Sequence, residues 1–171
     1  SNCGICRVAL MPRLYGADEV KSQQKRLDAV FLLVDGTEMG SEAKAHYARY
    51  LCVRLAGFAE QSLKDLVSAH AKRQSAATVH RFVEGRMGKL WGINQVKLKE
   101  TLDSLDPEWW EALNAKLPDE VEALNSVGKL RDNISHGGSS SLGLPQVQQY
   151  RDSVFRLIAY LCELLDPKSG A

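Results

Sequence analysis

Residues 47–66 read YARYLCVRLAGFAEQSLKDL, and this segment sets the architecture of the chain. Its apolar side chains recur at spacings of three and four or their sums, and the pattern extends on both sides, which predicts one long α-helix from about Ser41 to Lys72. The apolar stripe includes Tyr47, Leu51, Cys52, Leu55, Ala56, Phe58, Ala59, Leu63, Leu66 and Ala69. A stripe that covers about half of the circumference must pack on two sides, so we expect this helix to be the spine of the domain.

Helical periodicity continues along the rest of the chain, whereas strand patterns are nearly absent. Glycine and proline pairs such as Asp35-Gly36, Asp106-Pro107 and Gly137-Gly138 separate the helical segments. The predicted helices span about 18–34, 41–72, 75–90, 94–105, 107–117, 118–136 and 146–165. The sequence therefore predicts an all-α bundle.

Length and composition predict one globular domain. The chain has 171 residues, of which 44% are hydrophobic and 25% charged, enough to bury a core. We expect residues 1–15 to be an N-terminal extension, 16–166 a single helical domain and 167–171 a C-terminal tail. Met11 is a plausible native start, so residues 1–10 are interpreted as partly foreign to the native protein. No apolar run approaches the roughly 18 residues of a membrane span, and no secretory signal pattern is present; we interpret the protein as cytoplasmic, without a membrane partner.

The four cysteines do not form a recognisable metal site. Cys52 and Cys162 lie within apolar helical patterns, where a thiol behaves as a small core residue. Cys3 and Cys6 form a single Cys-x-x-Cys, and a zinc site would need two further ligands at suitable spacing. We therefore expect no metal ion and no cofactor.

The most chemically loaded segment is KLRDNISHGG, residues 129–138. Asp132 and His136 are four residues apart on one helix face, so the carboxylate is expected to hydrogen-bond the imidazole and fix its tautomer. Arg131 and His136 are five residues apart and diverge by about 140° on a regular helix. The two cationic side chains would converge only if the last turn is distorted or if a second subunit contributes.

The hexapeptide Arg131-Asp132-Asn133-Ile134-Ser135-His136 resembles the signature of HEPN-domain ribonucleases, which is an arginine, a polar residue, three further residues and a histidine. Residues 47–66 also resemble the first core helix of the RiboL-PSP-HEPN subgroup. The resemblance covers roughly Ser41 to Leu165. It implies a HEPN-like helical bundle built around a long antiparallel helix pair, with the motif at the end of a core helix.

The resemblance implies a metal-independent endoribonuclease in a toxin–antitoxin or phage-defence setting. The 2′-hydroxyl of RNA would attack the neighbouring phosphate and leave a 2′,3′-cyclic phosphate, with no activity on DNA. His136 would be the general acid or base, Arg131 the phosphate clamp, and Asp132 and Asn133 the orienting residues. A non-catalytic helical module that binds RNA or a partner protein is the alternative, and burial of His136 would favour it.

The resemblance also bears on assembly and control. Family HEPN domains commonly dimerise with their motifs facing each other, and the apolar surfaces of helices 41–72 and 146–165 exceed what one small bundle needs. We therefore expect a homodimer with a composite active site, and an antitoxin or regulatory protein as a further partner. HEPN toxins that are silenced by a nucleotidyltransferase carry a tyrosine two residues after the histidine; Gly138 stands there in this chain, which argues against that control.

Charge is unevenly distributed along the chain, although the formal net charge is only +1. Basic residues dominate from Lys72 to Lys99, and acidic residues dominate from Glu100 to Glu122. Because basic stretches attract phosphate backbones, the candidate RNA-binding residues of this stretch are Lys72, Arg73, Arg81, Arg86 and Lys89. Arg54, which borders the apolar face of helix 41–72, is a further candidate. Glu60 could support an active site across the helix pair. A solvated helix face is the alternative for Glu60 and for the basic stretch. Arg54 could instead lay its methylenes along the apolar stripe.

Overall fold

The structure, a computed structural model, describes residues 15–166, and in this range the chain forms seven α-helices. They are α1 (Ala17–Asp35), α2 (Ser41–Gln74), α3 (Ala77–Gly88), α4 (Gln95–Asp103), α5 (Pro107–Lys116), α6 (Pro118–Ser135) and α7 (Leu144–Leu165). Every predicted helix is present, which confirms the all-α class. The predictions for Cys3, Cys6, Met11 and residues 167–171 concern positions outside the described residues.

The long helix α2 is the spine of the bundle, because it contacts α1, α3, α6 and α7. Leu51, Leu55 and Leu66 of its apolar stripe are at most 1% exposed. Tyr47 is 44% exposed, so its interpretation as a core residue is wrong. It lies at the border of the stripe, about 40° from Leu51, where a tyrosine can keep its hydroxyl in water.

Four helices, α1, α2, α6 and α7, enclose the main core. The short connections before α2 and before α7 turn the chain back, so α1 is antiparallel to α2 and α6 is antiparallel to α7. The helices α2 and α7 run parallel: the Phe58 and Phe155 rings are 5.5 Å apart, and nearer both C-termini the His70 Nδ1 lies 3.2 Å from the Leu165 carbonyl oxygen. Helix α6 is therefore antiparallel to α2 and carries the motif toward the other end of the bundle.

The apolar stripes of α2 and α7 are covered within one chain. On α7, Val154, Leu157 and Ile158 are at most 2% exposed, because α2 and α6 pack against them. The expectation of surplus apolar surface for a dimer is therefore wrong for α7, whereas α2 leaves Tyr47 and Tyr50 exposed. Other exposed large apolar side chains of the described residues include Leu32, Leu33, Val79, Phe82, Trp91 and Val96.

The three shorter helices form an outer layer. Helix α3 packs on α2 but contains no buried residue, and its Phe82 is 66% exposed. Helices α4 and α5 pack on each other and on α6. Side-chain caps begin both of them: Asn94 Oδ1 accepts from the Lys97 N–H at 2.9 Å, and Asp106 Oδ1 accepts from the Glu108 N–H at 2.9 Å.

The two cysteines within the described range are unpaired core or border residues. Cys52 is fully buried between α2 and α6, and Cys162 is half-buried on α7. Burial raises the pKa of each thiol to about 11, because a thiolate is poorly solvated away from water. Neither thiol is a good nucleophile at neutral pH.

The first and last described turns are joined by Asp166, whose side chain is 7% exposed. Its Oδ2 accepts a hydrogen bond from the Ala17 N–H at 2.9 Å, and its Oδ1 lies 2.8 Å from Arg73 Nη1. Gly16 has a φ of +59°, and a Cβ at this position would lie 2.3 Å from Asp166 Oδ2. Only glycine satisfies both the backbone conformation and this approach, so the start of α1 and the ends of α2 and α7 are tied together.

Candidate active site

The motif helix α6 ends in a glycine turn. The Gly138 N–H donates to the Asn133 carbonyl at 2.9 Å and the Gly137 N–H donates to the Ile134 carbonyl at 3.1 Å, with Gly137 at a φ of +77°. These two bonds form a Schellman motif, in which a glycine adopts the left-handed conformation just after the helix. His136 is therefore the residue that ends the helix, immediately before the chain reverses direction at Gly137.

The side chain of His136 is exposed and folds back onto its own helix. Its Nδ1 lies 2.7 Å from the backbone carbonyl oxygen of Asp132. Because a carbonyl oxygen can only accept, Nδ1 must carry the hydrogen, and Nε2 is then the basic nitrogen of the neutral ring. The sequence predicts the carboxylate of Asp132 as the partner; that prediction is wrong, since the carboxylate engages Arg131 and the ring contacts the carbonyl, which also accepts from the His136 N–H at 3.1 Å.

The carboxylate of Asp132 instead engages Arg131. Arg131 Nη1 donates to Asp132 Oδ1 at 2.9 Å, and the side chain of Arg131 is 32% exposed. Asp132 thus contacts both Arg131, through its carboxylate, and His136, through its carbonyl. Both contacts are local, because Arg131 and Asp132 are neighbours in the chain and His136 follows Asp132 by four residues, the spacing of one helical turn.

Arg131 lies against the connection between α3 and α4, residues 89–94. Its Nη1 is 3.5 Å from the position that a Cβ on Gly92 would take. This approach depends on Gly128, three residues earlier on α6, where a Cβ would lie 2.2 Å from the Ile93 carbonyl oxygen. A larger residue at 128 would push the connection away from the motif helix.

Glu60 of α2 holds the connection 89–94 by a hydrogen bond to its backbone. Its Oε2 accepts from the Gly92 N–H at 2.7 Å, and its Oε1 lies 2.6 Å from Lys64 Nζ. The Glu60 side chain is 15% exposed, so the solvated-face alternative is wrong for this residue. Glu60 anchors the backbone against which Arg131 rests.

Two residues beside Arg131 were not singled out from the sequence. Lys97 Nζ lies 3.6 Å from the position that a Cβ on Gly92 would take, and Arg131 lies beside the same glycine. Lys97 Nζ also donates a hydrogen bond to the Trp91 carbonyl oxygen. Trp91 is 74% exposed. The only sequence indication for Lys97 was its place in the basic stretch, and Trp91 followed no periodic pattern.

An open cleft of about 570 Å³ extends from this connection toward α3. Arg86, Lys89 and Lys97 line it, together with Phe82, Trp91 and the acidic Glu100. Two of the candidate RNA-binding residues, Arg86 and Lys89, therefore lie on a surface that continues to Arg131.

The other candidate RNA-binding residues lie elsewhere. Arg54 lines a separate cleft against α1 and donates to the Tyr50 hydroxyl at 2.6 Å. Lys72 Nζ lies 4.5 Å from the centre of the Tyr15 ring, and Arg73 is paired with Asp166. Arg81 is exposed on α3. The structure does not gather the six basic residues on one face.

Asn133, the remaining motif residue, lies over the glycine turn. Its side-chain Oδ1 would be 1.4 Å from a Cβ on Gly138, and its carbonyl oxygen would be 3.0 Å away. Any side chain at position 138 would displace Asn133. The glycine where the modified toxins carry tyrosine is therefore part of how this motif packs.

Other site types are less well supported by the described residues. In the range 15–166 no group of three or more His, Cys, Asp or Glu side chains is placed to hold a metal ion. None of the helices in this range is long and apolar enough to cross a membrane.

Comparison with known proteins gives one match. No curated protein and no solved structure matches the chain. The family model described as RiboL-PSP-HEPN matches residues 18–166, which includes all but the first residue of α1, the whole of the motif helix and the whole of α7. With a match over most of its length, a seven-helix bundle and the Arg131–His136 motif at the end of a core helix, the chain belongs to the RiboL-PSP-HEPN family of HEPN domains.

Proposed function

We propose that this protein is a metal-independent endoribonuclease whose active site is the end of α6. Membership of a HEPN family supports an RNase-type domain. The observation that carries the proposal is the exposed imidazole of His136, with Nδ1 held by the Asp132 carbonyl at 2.7 Å. Nε2 is then the basic nitrogen of an exposed ring, and Arg131 precedes it by five residues on the same helix.

In the proposed reaction the RNA supplies its own nucleophile. Nε2 of His136 takes the proton of a 2′-hydroxyl, the 2′-oxygen forms a bond to phosphorus, and the bond from phosphorus to the 5′-oxygen breaks. Arg131 and Lys97, which both border Gly92, stabilise the negative charge of the phosphorane. The products are a 2′,3′-cyclic phosphate and a 5′-hydroxyl, so DNA is not cut. Asp132 positions the imidazole and the guanidinium, and Asn133 positions the turn.

The leaving 5′-oxygen needs a proton from a second group. A two-fold dimer would supply it, because an isologous interface brings the same patch of both chains together. We therefore propose that the protein forms a homodimer with a composite active site. Its support is this need for a second proton donor and the dimers common among family HEPN domains.

The biological setting belongs to the same proposal. The family resemblance supports a toxin or phage-defence role, acting on RNA in the cytoplasm under the control of an antitoxin or regulatory protein. Exposure of His136 favours the nuclease over the alternative, a non-catalytic module that binds RNA or a partner protein, because that alternative predicted a buried imidazole.

Cleavage in EDTA tests the proposal directly. The purified protein is incubated with a labelled single-stranded RNA and with the same oligonucleotide as DNA, and the RNA ends are identified by mass spectrometry. We expect a 2′,3′-cyclic phosphate from RNA, no cleavage of DNA, and loss of activity in His136→Ala. His46→Ala, at an exposed histidine of α2, is the matched control and should stay active. Activity that needs added metal and survives in His136→Ala would overturn the proposal.

A further inference from the structure

We infer that Trp91 is a platform on which an unpaired RNA base stacks, so that the substrate is single-stranded next to the cleaved phosphate. This inference rests on the proposed function, because it places the base next to the phosphate that the proposed active site cleaves. It starts from exposure: at 74%, Trp91 is the most exposed large apolar side chain among the described residues. Lys64 Nζ lies over the ring at 5.9 Å from its centre, and the exposed remainder of the indole gains free energy when it is covered.

The backbone beneath Trp91 is fixed on both sides. Its carbonyl accepts a hydrogen bond from Lys97, and the next N–H, that of Gly92, donates to Glu60 at 2.7 Å. Ile93, one residue further, is 4% exposed and packs against Gly128 of α6. A ring presented from an anchored backbone loses less conformational entropy on binding than one on a free loop.

The surroundings of Trp91 suit a polyanion with aromatic bases. Arg86, Lys89 and Lys97 line the cleft beside the ring, against the single carboxylate of Glu100, and the exposed Phe82 borders the same cleft. Basic side chains that follow the backbone and aromatic side chains that take the bases are the pattern of single-strand binding. An acidic peptide would use the cations but does not need the flat aromatic face. A membrane surface takes both cations and tryptophan, and membership of an RNase-type family favours RNA over it.

The position of Trp91 connects this cleft to the reacting phosphate. Gly92, the next residue, borders Arg131 and Lys97, which the proposed mechanism places on that phosphate. A nucleotide whose phosphate is held there has its base within reach of the neighbouring indole. Bases inside a duplex are stacked on one another and cannot turn onto a side chain, so the geometry selects unpaired RNA.

Binding is measured separately from cleavage to test this. The full chain carrying His136→Ala is titrated with a 2′-O-methyl single-stranded oligonucleotide, which cannot be cut, and with its duplex. Tryptophan emission reports stacking through its difference between the parent and Trp91→Phe, since Trp91 is exposed, Trp109 is half-buried and Trp110 is 5% exposed. We expect quenching by the single strand that is absent from Trp91→Phe, and an affinity that falls on the order of 10- to 100-fold in Trp91→Ala but little in Trp91→Phe. Tyr47→Ala, an exposed aromatic of α2 that is remote in sequence and outside the cleft, should bind as the parent does.

The outcomes separate this inference from the proposed function. Equal affinity of Trp91→Ala and its parent for the single strand, or no binding of the single strand by the parent, overturns the inference, whether or not the wild-type protein cleaves RNA. An equal loss for single strand and duplex also overturns it, because that pattern indicates a phosphate contact. Stacking on Trp91 in a protein that never cleaves RNA would support the inference and contradict the nuclease.

Discussion

Glu60 and Gly92 are joined by a hydrogen bond of 2.7 Å from the Gly92 N–H to the carboxylate, and Gly92 is the residue on which Arg131 rests. A carboxylate of the central helix therefore sets the position of the motif arginine through a single peptide group. Neither partner stands near the other in the sequence, and neither belongs to the motif. The contact makes the connection between α3 and α4 a part of the candidate site.

We expect Glu60→Ala to lower both stability and cleavage, because it leaves the half-buried Gly92 N–H and Lys64 without their acceptor. Loss of a buried hydrogen-bond partner costs about 1–3 kcal/mol, measurable by urea denaturation. Glu60→Gln retains an oxygen acceptor for Gly92 and should recover more than half of the loss. Equal stability of the two variants would show that the contact with Gly92 is unimportant.

Asp132→Ala should spare the tautomer of His136 while it weakens cleavage. The imidazole is held by the backbone carbonyl at 2.7 Å, which the substitution retains, whereas Arg131 loses its carboxylate partner. We expect ¹⁵N NMR to show hydrogen on Nδ1 in both proteins at a pH where the ring is neutral. A tautomer change in Asp132→Ala would mean that the carboxylate, and not the carbonyl, orients the ring.

Gly137→Ala should destabilise the end of the motif helix. At a φ of +77° an added Cβ is strained, and about 1–2 kcal/mol of stability should be lost. Gly143→Ala is the matched control, since its φ of −101° is accessible to alanine and the nearest atom to a new Cβ is 3.7 Å away. Thermal denaturation compares them, and an equal effect of the two substitutions would contradict the left-handed turn.

Stability should fall between about pH 9 and pH 11 because of Cys52. The folded-state pKa is raised from 9.0 to about 11, so the unfolded chain releases the thiol proton first and alkali favours unfolding. The contribution is full below pH 9 and lost as the pH rises through about 11, with a size of about 2–3 kcal/mol. Urea denaturation across this range should show a shallower decline for Cys52→Ala than for wild type, and parallel declines would contradict the burial of this thiol.

A mixed dimer tests the composite active site. If the second proton donor is the partner's His136, a dimer of one wild-type chain and one His136→Ala chain lacks one of the two imidazoles that each cleavage needs. After subunit exchange, mixed dimers are then expected to be as inactive as His136→Ala dimers, so that activity in the cleavage assay falls with the square of the wild-type fraction. A wild-type protein that is strictly monomeric in analytical ultracentrifugation and fully active in the cleavage assay would contradict the composite active site.

The sequence predicted the helices well because each is a local pattern. The apolar stripe of α2 and the glycines after His136 fixed the spine and the end of the motif helix. The surroundings of Arg131 could not be predicted, since they depend on contacts between residues far apart: Gly128 with Ile93, and Glu60 with Gly92. The choice between the carboxylate and the carbonyl of Asp132 as partner of the imidazole depends on the side-chain conformations of Asp132 and His136, which periodicity does not describe.

The contact between Ala17 and Asp166 places the two ends of the bundle within one hydrogen bond of each other, at 2.9 Å. A domain with adjacent ends can be inserted into a surface loop of a host protein without forcing the host's chain apart. It also tolerates circular permutation, in which a short linker joins the old ends and new ends are opened at an exposed loop. Opening the chain in the loop 139–141 after the glycine turn would place the new ends beside the motif, where a fused peptide could cover the candidate active site until a protease removes it.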